Sequence, residues 1–372
     1  MTDAHAHPDM LVLLRESRGM TQVDVAEAMA KAAGADASVS QGYVSKAEKG
    51  RLSVSGERLG WYAEALGYPK KLLCADPQVH GVGVGLVHHR KRAALTASAL
   101  RTIHAQLTLT RLQTDALQRG NDAPWHGAGF PVMEITPLVT AKDAARQIRE
   151  TWGLAPGPIS NLAAVIEDAG ALVLVRDLGS DLLDAVSQRN GDEPPLLLVN
   201  DKAPGDRCRF SLAHELGHLV MHSQPPAAGV GVAPQQQEHQ ADEFASELLM
   251  PAADIRSGLS GRIDLARLIE LKKAWGVSMS ALAKRAFSLN ILTEWQYRTL
   301  MMEMSALGYR RREPVDVPRE HPHRVAQLVD RLSATQPREA LAATVMLLPD
   351  DFERLYPQSH THVPSFHPEV MP

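Results

Sequence analysis

Two histidines four residues apart with a glutamate between them, His214-Glu215-Leu216-Gly217-His218, are the residues of this chain best placed to do chemistry. They lie in an apolar, helix-compatible run, with Phe210-Ser211-Leu212-Ala213 before them and Leu219-Val220-Met221 after. Four residues are about one helical turn, so both imidazoles project from one face toward one point. Such a pair can fill two of the four tetrahedral positions of a zinc ion. Glu215 can then reach a water on the metal as general base. Taken as mere packing, the two histidines would be core-facing residues of a buried helix. That leaves Glu215 unexplained, because an unpaired buried carboxylate is costly.

A third ligand is needed, and Glu238 opens the next helical pattern, Glu238-His239-Gln240-Ala241-Asp242-Glu243-Phe244-Ala245, which runs to Pro251. Ala241, Phe244, Ala245, Leu248 and Leu249 recur at spacings of three and four, as on a packed amphipathic helix. Asp242 lies one turn beyond Glu238, placed to accept the free ring N–H of a ligand histidine and fix its tautomer. The pattern resembles that of the gluzincin metallopeptidases. Three alternatives stand beside Glu238: His222, one turn further along the first helix; His239, about 100° off the ligand face of its own helix; and no metal at all. A metzincin would carry its third histidine where Gln224 stands.

A wider stretch, from about residue 137 to 310, resembles the ImmA/IrrE family of metallo-endopeptidases. The resemblance is carried by Gly157-Pro158-Ile159, by Leu196-Leu197-Leu198-Val199-Asn200, by Arg207-Cys208-Arg209-Phe210 through His218, and by Ala241-Asp242-Glu243-Phe244-Ala245 through Pro251. It implies Zn2+ held by His214, His218 and Glu238, with Glu215 as catalytic base. In zincins an extended substrate pairs with a sheet edge beside the active-site helix. The strand Leu196–Asn200, or its neighbour, is the candidate edge.

The other end of the chain is helical in pattern. Leu11, Leu14, Arg15 and Arg18-Gly19 form an opening helix with a glycine stop, and Thr21 caps a second helix from Gln22 to Lys31. Residues 40–49 form a third, and Val54 to Leu66 a fourth, closed by Gly67 with Pro69 beyond. Arg15-Glu16, Gly19-Met20-Thr21-Gln22, Val44-Ser45-Lys46-Ala47-Glu48-Lys49-Gly50 and Ala63-Glu64-Ala65-Leu66-Gly67 resemble the Xre/Cro-type helix-turn-helix family. By that resemblance, residues 40–49 enter the major groove of operator DNA. Ser40, Gln41, Tyr43, Ser45 and Lys46 then face bases or flanking phosphates, and Gln22 the backbone. Glutamine suits adenine, and lysine suits guanine or phosphate. The loop before the third helix, Ala32 to Val39, is longer than the family's turn.

Charge alone does not assign DNA to this region, because residues 10–51 hold six Lys/Arg against five Asp/Glu. Between Pro77 and Thr114 no acidic residue occurs, while Arg90, Lys91, Arg92, Arg101 and Arg111 do. This stretch reads either as a solvated linker or as a phosphate-contacting helix. It begins with a glycine-rich hinge, His80–Gly85, and Leu100, Ile103, Leu107 and Leu112 then mark a linker helix. Such a helix can join two copies into a homodimer or pack on the peptidase region.

The 372 residues have room for two or three domains, and 44% apolar content suffices for proper cores. A net charge of −4 argues against a polycationic nucleic-acid coat. Cys74 and Cys208, 134 residues apart, offer neither a disulfide framework nor a cysteine zinc site. The apolar run at residues 10–14 is too short for a signal or membrane segment, which points to the cytoplasm.

The expected organisation is multidomain: an all-α helix-turn-helix domain (1–78), a basic hinge and linker helix (79–136), an α+β zincin-like, gluzincin-type peptidase domain (137–310), and a helical extension with a His- and Pro-rich tail (311–372). Two functions fit it. One is a DNA-binding regulator whose zinc endopeptidase cleaves a partner repressor or similar protein. The other is a transcription factor whose zinc domain is a non-catalytic sensor or scaffold, antitoxin-like or phage-derived.

Overall fold

The computed structural model describes residues 4–34, 37–77, 86–89, 95–119, 130–191, 193–223 and 233–357. The glycine hinge at 80–85, Arg90–Arg92, Gln224 and the tail beyond residue 357 lie outside them.

Five helices open the chain: α1 (Pro8–Ser17), α2 (Gln22–Ala33), α3 (Gln41–Glu48), α4 (Gly56–Leu66) and α5 (Lys70–Leu73). Their ends follow local chemistry. Thr21 and Asp24 form a capping box at the start of α2, the Ser40 hydroxyl accepts from Tyr43 N–H at the start of α3, and α4 stops at Gly67 with φ 68°. Their apolar faces, among them Leu11, Leu14, Val25, Met29, Val44, Leu59, Tyr62 and Leu66, meet in one core.

A mixed sheet follows, made of β1 (Leu86–His89), β2 (Leu172–Arg176), β3 (Ala185–Arg189) and β4 (Leu196–Asn200), in the order β1-β3-β4-β2. β2 and β4 are parallel; β3 is antiparallel to both its neighbours. Of the two candidate substrate edges, Leu196–Asn200 or its neighbour, the first is corrected here: β4 is internal, flanked by β3 and β2, and buried along its whole length. Its first four residues, Leu196 to Val199, are apolar on both faces, as a sheet covered on both sides requires.

The two faces of the sheet belong to different cores. Val173, Leu197 and Val199 point to α7 (Ala141–Thr151), α8 (Leu162–Asp168) and α9 (Gly205–Met221). Leu172, Leu174, Val186, Leu196 and Leu198 alternate with them and point the other way. That second face is covered by α6 (Ala97–Arg119) and by α15 (Arg324–Ser333), α16 (Arg338–Thr344) and α17 (Pro349–Leu355) from the end of the chain. The same cluster runs without a break into the core of α1–α5.

α6 therefore spends its apolar stripe inside the chain. Ile103, Leu107, Leu112 and Leu117 are buried, and so is Arg111, which donates to Pro194 O at 2.7 Å. Arg101 pairs with Glu16 at 3.3 Å. Arg111 is thus not a free phosphate contact, whereas Arg101 stays more than half exposed; the stripe of α6 is spent inside the chain rather than on a dimer seam.

Four further helices complete the first core: α10 (Pro234–Leu249), α11 (Ala252–Gly258), α12 (Leu265–Trp275) and α13 (Met279–Ser288), with α14 (Glu294–Ala306) outside them. Buried ion pairs fix α9 and α10 in this frame. Arg209 on α9 pairs with Glu320, whose other oxygen accepts Ala163 N–H at the start of α8. Asp206 on α9 accepts from Lys272 of α12 at 2.5 Å, and Glu247 on α10 binds both Arg285 and Arg146. Removing one partner of such a pair would strand a buried charge, so these contacts hold the two helices in register. Among the described residues no helix is long and apolar enough to cross a membrane.

Candidate metal centre and the helix-turn-helix face

α9 and α10 pack along their length, and at Gly217 the Phe244 ring of α10 lies against the α9 backbone. A Cβ placed there would lie 3.0 Å from the Phe244 ring. The contact sets the distance between the His214/His218 pair and the Glu238 turn. Gly217→Ala is expected to cost roughly 1–3 kcal/mol by overpacking and to weaken metal binding. Denaturant midpoint and metal titration check both.

The donor atoms converge. His214 Nε2 and His218 Nε2 are 3.1 Å apart. Glu238 places Oε2 at 3.3 Å from the first and Oε1 at 3.4 Å from the second. A tetrahedral zinc with ligand bonds of about 2.0–2.1 Å has ligand-to-ligand edges of roughly 3.4 Å. The two imidazole nitrogens and the two oxygens of the Glu238 carboxylate thus converge at about the spacing a single such ion requires.

The far ring nitrogens are pinned. His214 Nδ1 lies 3.0 Å from Asp242 Oδ1, and Asp242 also accepts from Lys284 at 3.2 Å. His218 Nδ1 meets His222 Nδ1 at 2.9 Å, and His222 Nε2 meets Gln240 Oε1 at 2.9 Å. With the amide oxygen as acceptor, His222 carries its proton on Nε2 and accepts from His218 Nδ1–H. Both ligand-candidate histidines then turn an Nε2 lone pair toward the common point, as metal binding requires. Burial lowers the His222 pKa to about 4, which keeps that ring neutral.

The alternatives for the third ligand separate cleanly. His222 stands behind His218 rather than in the triangle. His239 is 71% exposed and lies near Glu243 at 3.7 Å. Among the described residues, His214, His218 and Glu238 are the group whose donors could share one ion. Gln240 and the supporting role of His222 were not foreseen; their i, i+4 and facing-helix spacing was the available signal.

Glu215 is buried beside this triangle. Ser187 Oγ on β3 donates to its Oε2 at 2.6 Å, while Oε1 is buried without a hydrogen-bond partner. Burial pushes the Glu215 pKa up to about 8. Burial would also raise Glu238, but the bonds from His214 and His218 outweigh it and hold that carboxyl far below the usual range. A cavity of about 1170 Å³ lies to one side, between α10, α13 and the Arg310–Arg312 segment. It reaches the centre only at Asp242 and His239.

The DNA-facing candidates lie together at the start of α2 and along α3. Gln41 and Lys46 are exposed, as is Ser40, although its hydroxyl is engaged as the cap. Ser45 is half-buried. Gln41 Nε2 donates to Gln22 Oε1 at 2.7 Å, and Gln22 Nε2 donates to Glu48 at 2.8 Å. Arg15 grips the same Glu48 through two nitrogens, at 2.6 and 3.1 Å. This chain of bonds orients the two glutamine amides. Tyr43 departs from the expectation. Its ring packs between Arg58 and Tyr62, and its hydroxyl is buried without a partner.

No curated protein matches the chain. Residues 11–73 match the family model for the helix-turn-helix, and residues 166–287 match that of the IrrE N-terminal-like domain, a peptidase family. The chain thus joins a helix-turn-helix DNA-binding domain to a metallopeptidase-family domain of the IrrE type, in the order its motifs imply.

Proposed function

We propose that this chain is a DNA-binding regulator whose IrrE-type domain is a zinc-dependent endopeptidase that cleaves a partner repressor or other regulatory protein. The observation that carries this reading is the triangle of His214, His218 and Glu238 with the unpartnered Glu215 Oε1 beside it. A structural zinc site usually closes with a fourth protein ligand; an open position beside a carboxylate suits hydrolysis.

Zinc bound by those three residues would supply Lewis acidity and a water of lowered pKa. Glu215 takes the proton of the attacking water on Oε1 and returns it to the departing amine of the cut peptide. Ser187 holds the other oxygen, so the carboxylate cannot swing away. Asp242, and His222 backed by Gln240, keep the two imidazoles in the tautomer that faces the metal.

On the DNA side, Gln41 and Lys46 are the base-reading candidates, Ser45 and Ser40 flank them, and Gln22 sets the Gln41 amide. Tyr43 contributes by shaping α3 from beneath. A homodimer would present two copies of α3 to a palindromic operator. Gln41→Ala and Lys46→Ala are each expected to weaken operator binding by about 1–3 kcal/mol and to leave zinc content unchanged. Titration of labelled operator at fixed salt checks this. Equal affinity for operator and scrambled duplex in the parent chain would make the domain a protein-interaction module.

The direct test of the whole reading incubates the zinc-loaded chain with candidate regulatory proteins, beginning with any small repressor encoded next to its gene. A single chelator-sensitive cut is expected. An intact partner, with operator binding undiminished, would leave the scaffold reading in place of the peptidase.

A further inference from the structure

Ser187 ties β3 to Glu215, so β3 is the strand that runs beside the candidate reaction centre. An extended peptide added to its free side would lie along α9, with backbone groups of β3 available for pairing. In this chain that side is taken. β1 pairs with β3 antiparallel, Leu86 opposite Arg189, Val87 opposite Gln188, His88 opposite Ser187 and His89 opposite Val186. It also lies against α9. The residue opposite the centre of β1 is therefore the one that holds the general-base candidate.

β1 is an unusual member of its sheet. It comes from the stretch between α5 and α6, far in sequence from the other three strands, and it is only four residues long. Its four residues are one fewer than each of its sheet partners has, and as an edge strand it is paired on one side only, with β3. We propose that residues 86–89 are an autoinhibitory strand: they occupy the outer edge of β3 as an internal stand-in for the extended polypeptide segment that a peptidase of this kind pairs at such an edge, antiparallel, through main-chain hydrogen bonds. A partner protein reaches the centre by displacing β1. The catalytic meaning of this edge rests on the peptidase reading above; the pairing and its displacement do not.

Tethering sets the size of the effect. A segment held in the same chain acts at an effective concentration of about mM. An outside peptide of roughly 10 μM intrinsic affinity would then bind the intact chain ~100-fold more weakly than it binds a freed edge.

The test uses the full chain in a Glu215→Gln background, so that nothing is hydrolysed during binding. Leu86→Gly, Val87→Ser, His88→Gly and His89→Ser are combined to remove the strand's pairing. The probe is a fluorescent synthetic peptide copying residues 83–92. Its affinity is expected to be at least tenfold higher for the quadruple variant than for the parent. Amide exchange at Ala185–Arg189 should quicken in the variant and slow again when peptide is added. Slow exchange at β2 and β4 reports that the variant is folded. Equal peptide affinity in the two proteins, or unchanged protection of β3 in a folded variant, would overturn the proposal. With Glu215 restored and zinc supplied, the quadruple variant should cut added peptide faster than the parent. Peptide that binds the freed edge but is never cut would sink the peptidase reading and leave the edge assignment standing.

Discussion

Glu215→Gln is expected to abolish cleavage of the partner protein, by about 10²–10⁴-fold, while zinc content and operator affinity stay at parent levels. Glutamine keeps the shape and can still accept from Ser187 Oγ, now 2.6 Å from Oε2, but it cannot take a proton from water. The other carboxylates at this site are engaged on the histidines, Glu238 with His214 and His218 and Asp242 with His214, so the proton-taking role falls to Glu215. In cells, genes controlled by the partner should stay shut under the inducing signal, as they do in a deletion. A rate of cleavage equal to that of the parent would mean that Glu215 is packing, and the zinc domain a scaffold.

The second large effect concerns the metal. Glu238→Ala is expected to lower zinc affinity by more than the roughly 10–100-fold that loss of an outer hydrogen-bond partner costs. Asp242→Ala and Gln240→Ala should fall within that smaller range, and His239→Ala should do nothing. Zinc analysis after dialysis against graded chelator ranks all four. Zinc retained in Glu238→Ala and lost in His239→Ala would reverse the ligand assignment. The uptake should also depend on pH. Burial alone would lower the His214 pKa, but Asp242 and Glu238 outweigh it and raise the value to about 9 in the metal-free chain. A ligand histidine must shed its proton before it can bind metal. Zinc affinity should therefore strengthen as pH rises toward about 9 and level off above it, with protons released into the buffer on binding below that point.

Much of the helix-turn-helix was legible because its punctuation is local. Thr21, Ser40 and Gly67 mark ends that depend on neighbours two or three residues away. The His214/His218 pair was legible for the same reason, being one turn of one helix. β3 was not. Its residues Ser187 and Gln188 are both polar and buried: Ser187 faces Glu215, while Gln188, one residue on, lies on the opposite face of the sheet. A strand that serves chemistry loses the alternation by which strands are recognised. β1 hid in a stretch read for its charge, and only its antiparallel partner 100 residues away makes it a strand. The extension beyond residue 311 was legible as helices, at Arg324–Ser333 and Arg338–Thr344, but not as the cover of a sheet face. Which surface an amphipathic helix covers is a long-range fact. Likewise Gln240 and His222 carry no signal singly; they matter through a relay across two helices.

The unbroken core that runs from α1–α5 through α6 to the outer face of the sheet has a thermodynamic corollary. Its two ends bear α3, the candidate operator-reading helix, and β3, the strand beside the candidate metal centre. Whatever free energy a bound peptide spends in shifting that shared packing is subtracted from, or added to, the free energy of operator binding, and linkage makes the factor the same in either direction. On the proposed function, a promoter-bound copy and a free copy of this chain would be two different receptors for the same peptide, and the ratio of their affinities would measure how far the strain travels through α6.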